Sequence, residues 1–139
     1  MSTATEISTV TRIFDAPRDK VWTVVTEPQY FAQWFGAVPG SVELDVRSGG
    51  SWKASVAGPE GATFPLAGRY VEVARPERLV LTVPNPGGGE VEATITLTDL
   101  GDGRTEETFS APVVAEASAE AEAGTNMIMD KIAGILRTL

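Results

Sequence analysis

Apolar and polar residues alternate with period two over Glu6 to Phe14. Ile7, Thr9, Thr11 and Ile13 fall on one side, and Ser8, Val10, Arg12 and Phe14 on the other. A β-branched run of this kind predicts a strand. The period then changes. Val21, Val24 and Val25 recur at helical spacing with Trp22 beside them, and Asp15 and Pro17 stand where a capping residue and a first-turn proline belong. Glu27-Pro28 breaks this helix, because the residue before a proline is pushed out of the α region. A second short helix follows, dense in aromatics: Tyr30, Phe31, Trp34 and Phe35. The rest of the chain is organised around this helical pair.

From Val42 onward the period returns to two. Val42, Leu44 and Val46 alternate with charged residues, Ser48-Gly49-Gly50 makes a tight turn, and Ser51 to Val56 returns with Trp52, Ala54 and Val56 on one face. Ala57 to Ala62 is a hairpin loop. Thr63 to Ala74 is a strand whose central Gly68 marks a bulge or bend. Arg78 to Val83, Glu90 to Thr98 and Arg104 to Ser110 complete the strands. Arg75 to Glu77 and Asp99 to Gly103 turn between them, and Pro84 to Gly89 forms a flexible connector. Ala111-Pro112 punctuates. Ala115 to Leu139 then reads as a helix, Ala- and Glu-rich in its first half. Its second half carries Ile128, Ile132, Ile135, Leu136 and Leu139 on one stripe with Met129 beside it, and Gly124 is placed to kink it.

These elements predict an α+β fold in one domain over residues 1–139. About seven strands form a curved antiparallel sheet, since no helix separates the later strands for a parallel crossover. The C-terminal helix is the element long enough to cover the sheet, and the two short helices fill one end. A sheet gripping a helix leaves a gap where small ligands bind.

Composition narrows the chemistry. The 139 residues carry a net charge of −8 and contain neither cysteine nor histidine. Disulfides, thiolate chemistry, Cys- or His-based zinc sites and histidine-dependent nucleophiles are excluded, leaving carboxylates, Tyr, Lys, Arg or bound water to move protons. The acidic balance disfavours nucleic acid. No leader and no bilayer-spanning run is seen, so no membrane insertion and a cytoplasmic location are expected. No cofactor is implied, and monomer and homodimer both stay open.

Four stretches, in this order, resemble the START-like helix-grip superfamily, SRPBCC. They are Phe14 to Pro28 followed by Trp34-Phe35, Leu44 to Val56, Gly68 to Thr82, and Gly124 to Leu136. The chain is most similar to the branch named after activators of a heat-shock chaperone's ATPase, close to polyketide cyclase/dehydrase-like proteins. The resemblance implies a helix-grip fold and, among its functions, hydrophobic-ligand carriage, polyketide cyclisation and chaperone regulation. The chain departs from the pattern in having Gly124-Thr125 where the family usually has Gly-Trp, and in lacking histidines near the last strand. Those losses remove aromatic and titratable groups from the expected cavity, which argues against cyclase-type chemistry.

Three readings follow: binding of a hydrophobic or aromatic small molecule between sheet and C-terminal helix, a cyclase/dehydrase-type enzyme, or a protein-interaction or chaperone-regulating module. The expected cavity residues are Trp22, Phe31, Trp34, Phe35, Trp52, Tyr70, Thr125, Ile128, Met129 and Ile132. The competing reading of each is plain core. Tyr70 and Glu72, two apart on one strand, are the best acid/base pair: facing inward they would hydrogen-bond and the Glu pKa would rise. Asp45 and Arg47 read as a solvated pair, and Glu106-Glu107 as a charge pair on a strand near its end, more often solvated than catalytic.

Overall fold

The computed structural model describes residues 5–84 and 89–139. Strand β1 (Thr5–Phe14) leads into helices α1 (Arg18–Thr26) and α2 (Pro28–Phe35). Strands β2 (Glu43–Leu44), β3 (Ser51–Ala57), β4 (Thr63–Ala74), β5 (Arg78–Pro84), β6 (Glu90–Gly101) and β7 (Arg104–Val114) precede helix α3 (Ser118–Leu136). The sheet has seven strands in the order β1-β7-β6-β5-β4-β3-β2, every pair antiparallel. Strands β2 to β7 form a meander, and β1 closes onto the outer side of β7. The α+β helix-grip architecture expected from the sequence is the one observed.

One face of this sheet is the core wall. Val10 and Phe14 on β1, Thr105 and Glu107 on β7, Ala93, Ile95 and Leu97 on β6, and Leu79 and Leu81 on β5 are all buried. Their register places them side by side: Phe14 opposite Thr105, Leu97 opposite Glu107, Ile95 opposite Leu79. Helix α3 lies over this face beside β1 and presents Met129, Ile132 and Ile135. Helix α1 packs over β6 and β7 with Val21, Trp22, Val24 and Val25 buried. The chain is pinned where β1 enters α1, because the buried Thr105 hydroxyl donates to the Ala16 carbonyl at 2.8 Å.

Several local expectations are corrected. Pro17, not Asp15, is the N-cap of α1, and no side chain caps it; the Lys20 and Val21 amides turn back to the Pro17 carbonyl instead. The strand expected over Val42 to Val46 shrinks to Glu43–Leu44, because the Asp45 amide bonds Ser51 and the Gly50 amide bonds Arg47 in a wide turn. Strand β7 runs past the expected stop at Ala111-Pro112. Pairing with β6 ends at Ser110, so Pro112 stands where β7 keeps only β1 as a partner and its missing N–H is tolerated. Helix α3 is continuous through Gly124. Its stripe ends sooner than expected, with Leu139 exposed. The connector expected at Pro84 to Gly89 falls mostly on residues 85–88, outside the described residues.

The irregularity expected at Gly68 is displaced. The register shift lies between Tyr70 and Glu72, which leaves Val71 as the extra residue. Gly68 serves a close approach. Opposite it, the buried Trp52 indole N–H donates to the Thr82 carbonyl at 2.8 Å, and that path crosses the position a Gly68 Cβ would occupy.

The aromatics of α2 form a cluster with Trp52. Phe31 and Phe35 stack at 4.9 Å, and Phe35 meets Trp52 edge-on at 5.4 Å. Trp34 is buried, and its indole N–H donates to the Val24 carbonyl at 2.9 Å, tying α2 to α1. A Trp34→Phe variant leaves that buried carbonyl without its donor and opens a small void. It is expected to lower unfolding free energy by about 1–3 kcal/mol in a urea titration with an unchanged m-value.

Candidate functional site

The inner face is graded along the strands. Toward α1 it is sealed, with Phe14, Leu97 and Thr105 almost without exposure. Toward the other end Ser8, Val83, Val91, Ala111 and Val113 are only half-buried. Helix α3 starts just after β7 ends and packs on β1 and β7; on its partly buried side the first half carries Ala121 and Thr125 where the second half carries Met129, Ile132 and Ile135. Small residues accompany this half-burial, and this end is the more open one of the grip.

Two polar side chains face this apolar interior without a hydrogen-bond partner among the described residues: the Tyr70 hydroxyl and both carboxyl oxygens of Glu107. Each residue is 1 % exposed. Leaving such groups unpaired is costly, and native folds rarely do so without a reason. Tyr70 lies on β4 opposite Leu81, which is opposite Ala93. Ala93 and the half-buried Ala111 each lie one residue past the last β6–β7 pair, Thr94–Ser110, so Tyr70 stands at the level of the more open end. Burial pushes the Tyr70 hydroxyl pKa up, and it remains neutral. Glu107 lies four residues further along β7, at the sealed end, flanked by Leu97 and Arg12. Burial in this apolar setting raises its pKa to about 8, so at neutral pH it is mostly the neutral acid, able to donate as well as accept.

The expected Tyr70–Glu72 pair is not formed. The bulge at Val71 flips the strand, so Tyr70 points inward with Leu81 while Glu72 lines up with Val80 on the outer face. There Glu72 is 47 % exposed and bonded to Arg78 at 3.2 Å. Glu107, expected to be solvated, is instead the buried carboxyl. A period-two reading of Thr105, Glu107, Phe109, Ala111 and Val113 finds it on an otherwise apolar side. The misplaced strand end at Ser110 hid that pattern.

Of the expected cavity residues, Trp22, Phe31, Trp34, Trp52, Met129 and Ile132 are buried in one continuous core with Tyr70. Phe35 and Ile128 are half-buried against it. Thr125 is half-buried near the opening, its hydroxyl donating to the Ala121 carbonyl at 3.0 Å. The structure adds Leu66, Val83, Phe109 and Ala111, partly buried apolar residues packed on the same core. Shallow hollows also mark the surface; one of about 520 Å³ lies between α2 and its following loop, lined by Gln29, Gln33 and Pro39 among others, and neither Tyr70 nor Glu107 lines it. As expected, Asp45 and Arg47 pair in solvent at 2.9 Å. Among the described residues no group of three or more Asp or Glu side chains is placed to hold a metal, and no helix is long and apolar enough to cross a membrane.

The family model for activator of Hsp90 ATPase homolog 1-like proteins matches residues 15–137. The chain belongs to this family. The match runs from the cap region of α1 to the end of α3, so this Hsp90-activator-like domain includes both unpartnered polar groups and all of α1, α2 and α3. No curated protein matches it. Solved structures share its fold. A Staphylococcus aureus protein of unknown function superposes with a TM-score of 0.86 at 15% identity, covering 98% of this chain and 96% of that one. A Nitrosomonas europaea protein gives 0.77 at 24% identity, covering 95% and 94%. A Cytophaga hutchinsonii protein gives 0.81 at 19% identity, covering 99% and 97%.

Proposed function

We propose that this domain binds a small hydrophobic or aromatic molecule between the inner face of the sheet and α3, entering where α3 carries small residues. The molecule bears hydrogen-bonding groups that the Tyr70 hydroxyl and the Glu107 carboxyl engage. The observation that carries the reading is that these two side chains are buried without partners in an otherwise apolar interior. Both are neutral at neutral pH, which favours ligand groups such as carbonyls and hydroxyls over charged ends. The cytoplasmic setting expected from the sequence is part of this proposal.

A thermal-shift screen against sterols, fatty acids and planar aromatic polyketides tests it, because a ligand of the native state raises the melting temperature by mass action. A dose-dependent rise supports the proposal, and a flat response at saturating concentration counts against it. The Tyr70→Phe variant separates binding from folding. It removes an unpartnered hydroxyl, so its stability is expected to match or exceed that of the parent by up to about 1 kcal/mol. Its affinity for any hit is expected to fall about 5- to 30-fold by calorimetry, since the ligand group then lacks its partner.

One observation favours a second reading, an enzyme of the cyclase/dehydrase kind. With its pKa raised to about 8, Glu107 is a proton donor at neutral pH, the property a general acid needs. Turnover of a bound polyketide that disappears in Glu107→Gln while binding persists would establish it.

A further inference from the structure

Arg12 and Glu107 are directly opposed in the β1–β7 register and share the inner face. Opposite charges in that arrangement normally pair across strands. Here they do not. The Arg12 guanidinium reaches over to α3, where Nη1 donates to Asp130 Oδ1 at 2.8 Å and Nη2 to Asn126 Oδ1 at 3.1 Å, while Glu107 is left unpartnered. Asp130 is largely in solvent, its side chain 72 % exposed, so it holds the arginine through a well-screened contact. Once ionised, the buried acid opposite would compete for the same arginine in a less screened setting.

We propose that Arg12 is a latch shared between two carboxyls: it ties α3 to β1 through Asp130 and Asn126 while Glu107 is neutral, and turns to Glu107 when that proton is lost, loosening the turn of α3 around residues 126–130. Its bearing on ligand entry rests on the reading of the interior as a binding site. The latch itself does not.

Among the described residues the surroundings leave Arg12 as the charged group placed to respond. On β7 the inner-face neighbours of Glu107 are Thr105 and Phe109, with Glu106 on the opposite face, and on β6 the flanking residue is Leu97. Over this level α3 buries Met129 and Ile132, while Asp130 and Lys131 are exposed. Helix α1 buries Val21, Val24 and Val25. Of its charged residues, Arg18 reaches Glu77, Asp19 is exposed, and the partly exposed Lys20 is not among the helix's buried residues. Burial holds Glu107 in its neutral form up to about pH 8, which keeps the latch closed in ordinary conditions.

The experiment needs no ligand. The Glu107 carboxyl carbon is followed by NMR against pH in the full chain, in the parent and in Asp130→Asn, an exposed substitution that leaves the core intact. Removing the competing carboxylate is expected to release Arg12 toward Glu107 and lower its titration midpoint by about one unit or more. Adding Arg12→Gln is expected to abolish that shift. Amide exchange at residues 126–130, corrected for base catalysis, is expected to rise at least about threefold through the Glu107 titration and to lose that step in Glu107→Gln. A midpoint unmoved by Asp130→Asn, or moved equally when Arg12 is absent, overturns the latch. Neither result bears on the ligand screen, so the two proposals fail separately.

Discussion

Replacing Glu107 with glutamine is expected to stabilise this protein, and to do so most at alkaline pH. In the unfolded chain the carboxyl titrates near its ordinary value of 4.5; in the fold burial raises it to about 8. Between those values the native state holds a proton that the unfolded state has lost. The slope of unfolding free energy with pH therefore has a negative sign, and this group's contribution declines as pH rises from about 5 to about 8. At face value the loss over that window is roughly 2–4 kcal/mol. Glutamine keeps the shape and does not ionise, so its variant lacks this loss. The expected result is a melting temperature about 6–12 °C above the parent at pH 8, with the difference closing toward pH 5. Differential scanning calorimetry at both pH values checks it. A parent as stable at pH 8 as at pH 5 would overturn this expectation, since pairing with Arg12 would then have to offset the whole cost of ionising Glu107.

Replacing Gly68 with alanine is expected to have a comparably large effect of opposite sign. The new methyl collides with the Thr82 carbonyl oxygen and with the Trp52 indole nitrogen, the two ends of a buried hydrogen bond. Neither atom yields cheaply. Thr82 is in the β5 backbone, paired to β6 opposite Glu92, and Trp52 packs against Phe31 and Phe35. Overpacking of this sort costs about 1–3 kcal/mol, and a lost buried hydrogen bond adds a similar amount, so a loss of about 2–5 kcal/mol is expected. Denaturant unfolding measures it. A red-shifted tryptophan emission in the native state would show Trp52 as the group displaced. Gly124→Ala is the contrasting case. Nothing lies within 4 Å of the added Cβ, and the residue sits inside a continuous helix, so stability is expected to rise by about 0.5–1 kcal/mol.

The difference between what could and could not be read from the chain follows from the reach of each signal. Period-two runs and their turns locate the strands, since side-chain alternation is local and strong. The aromatic pair of short helices and the apolar stripe of α3 locate the layers. Facing after Tyr70 is not local. One extra residue at Val71 reverses the strand, and nothing in Arg69-Tyr70-Val71-Glu72 announces it. That reversal puts Glu72 in water with Arg78; Glu107, on another strand, is buried, and its place in an inward pattern shows only once β7 is read past Ser110. Charge type misleads here for a physical reason, since carboxyls are nearly always placed outside and the exceptions are the functional suspects. The position of the opening was equally hidden. It goes with α3 being small-faced at one end and bulky at the other, a contrast visible in the residues but without meaning until the helix is laid along β1.

The closure of β1 onto β7 sets the timetable of folding. Thr11 and Thr108, whose hydroxyls meet at 3.2 Å across that seam, are 97 residues apart in the chain. Every other neighbouring pair in the sheet is sequential and can zip locally. On a ribosome β1 is made early and waits while the meander from β2 to β6 assembles. Its ten residues, rich in Thr and Ile, keep their backbone unpaired until β7 emerges. Closing a loop of that length carries the largest entropic cost in the sheet, so this seam is expected to form last. The seam that finishes the grip is thus the stretch of the molecule most in need of protection before the grip exists.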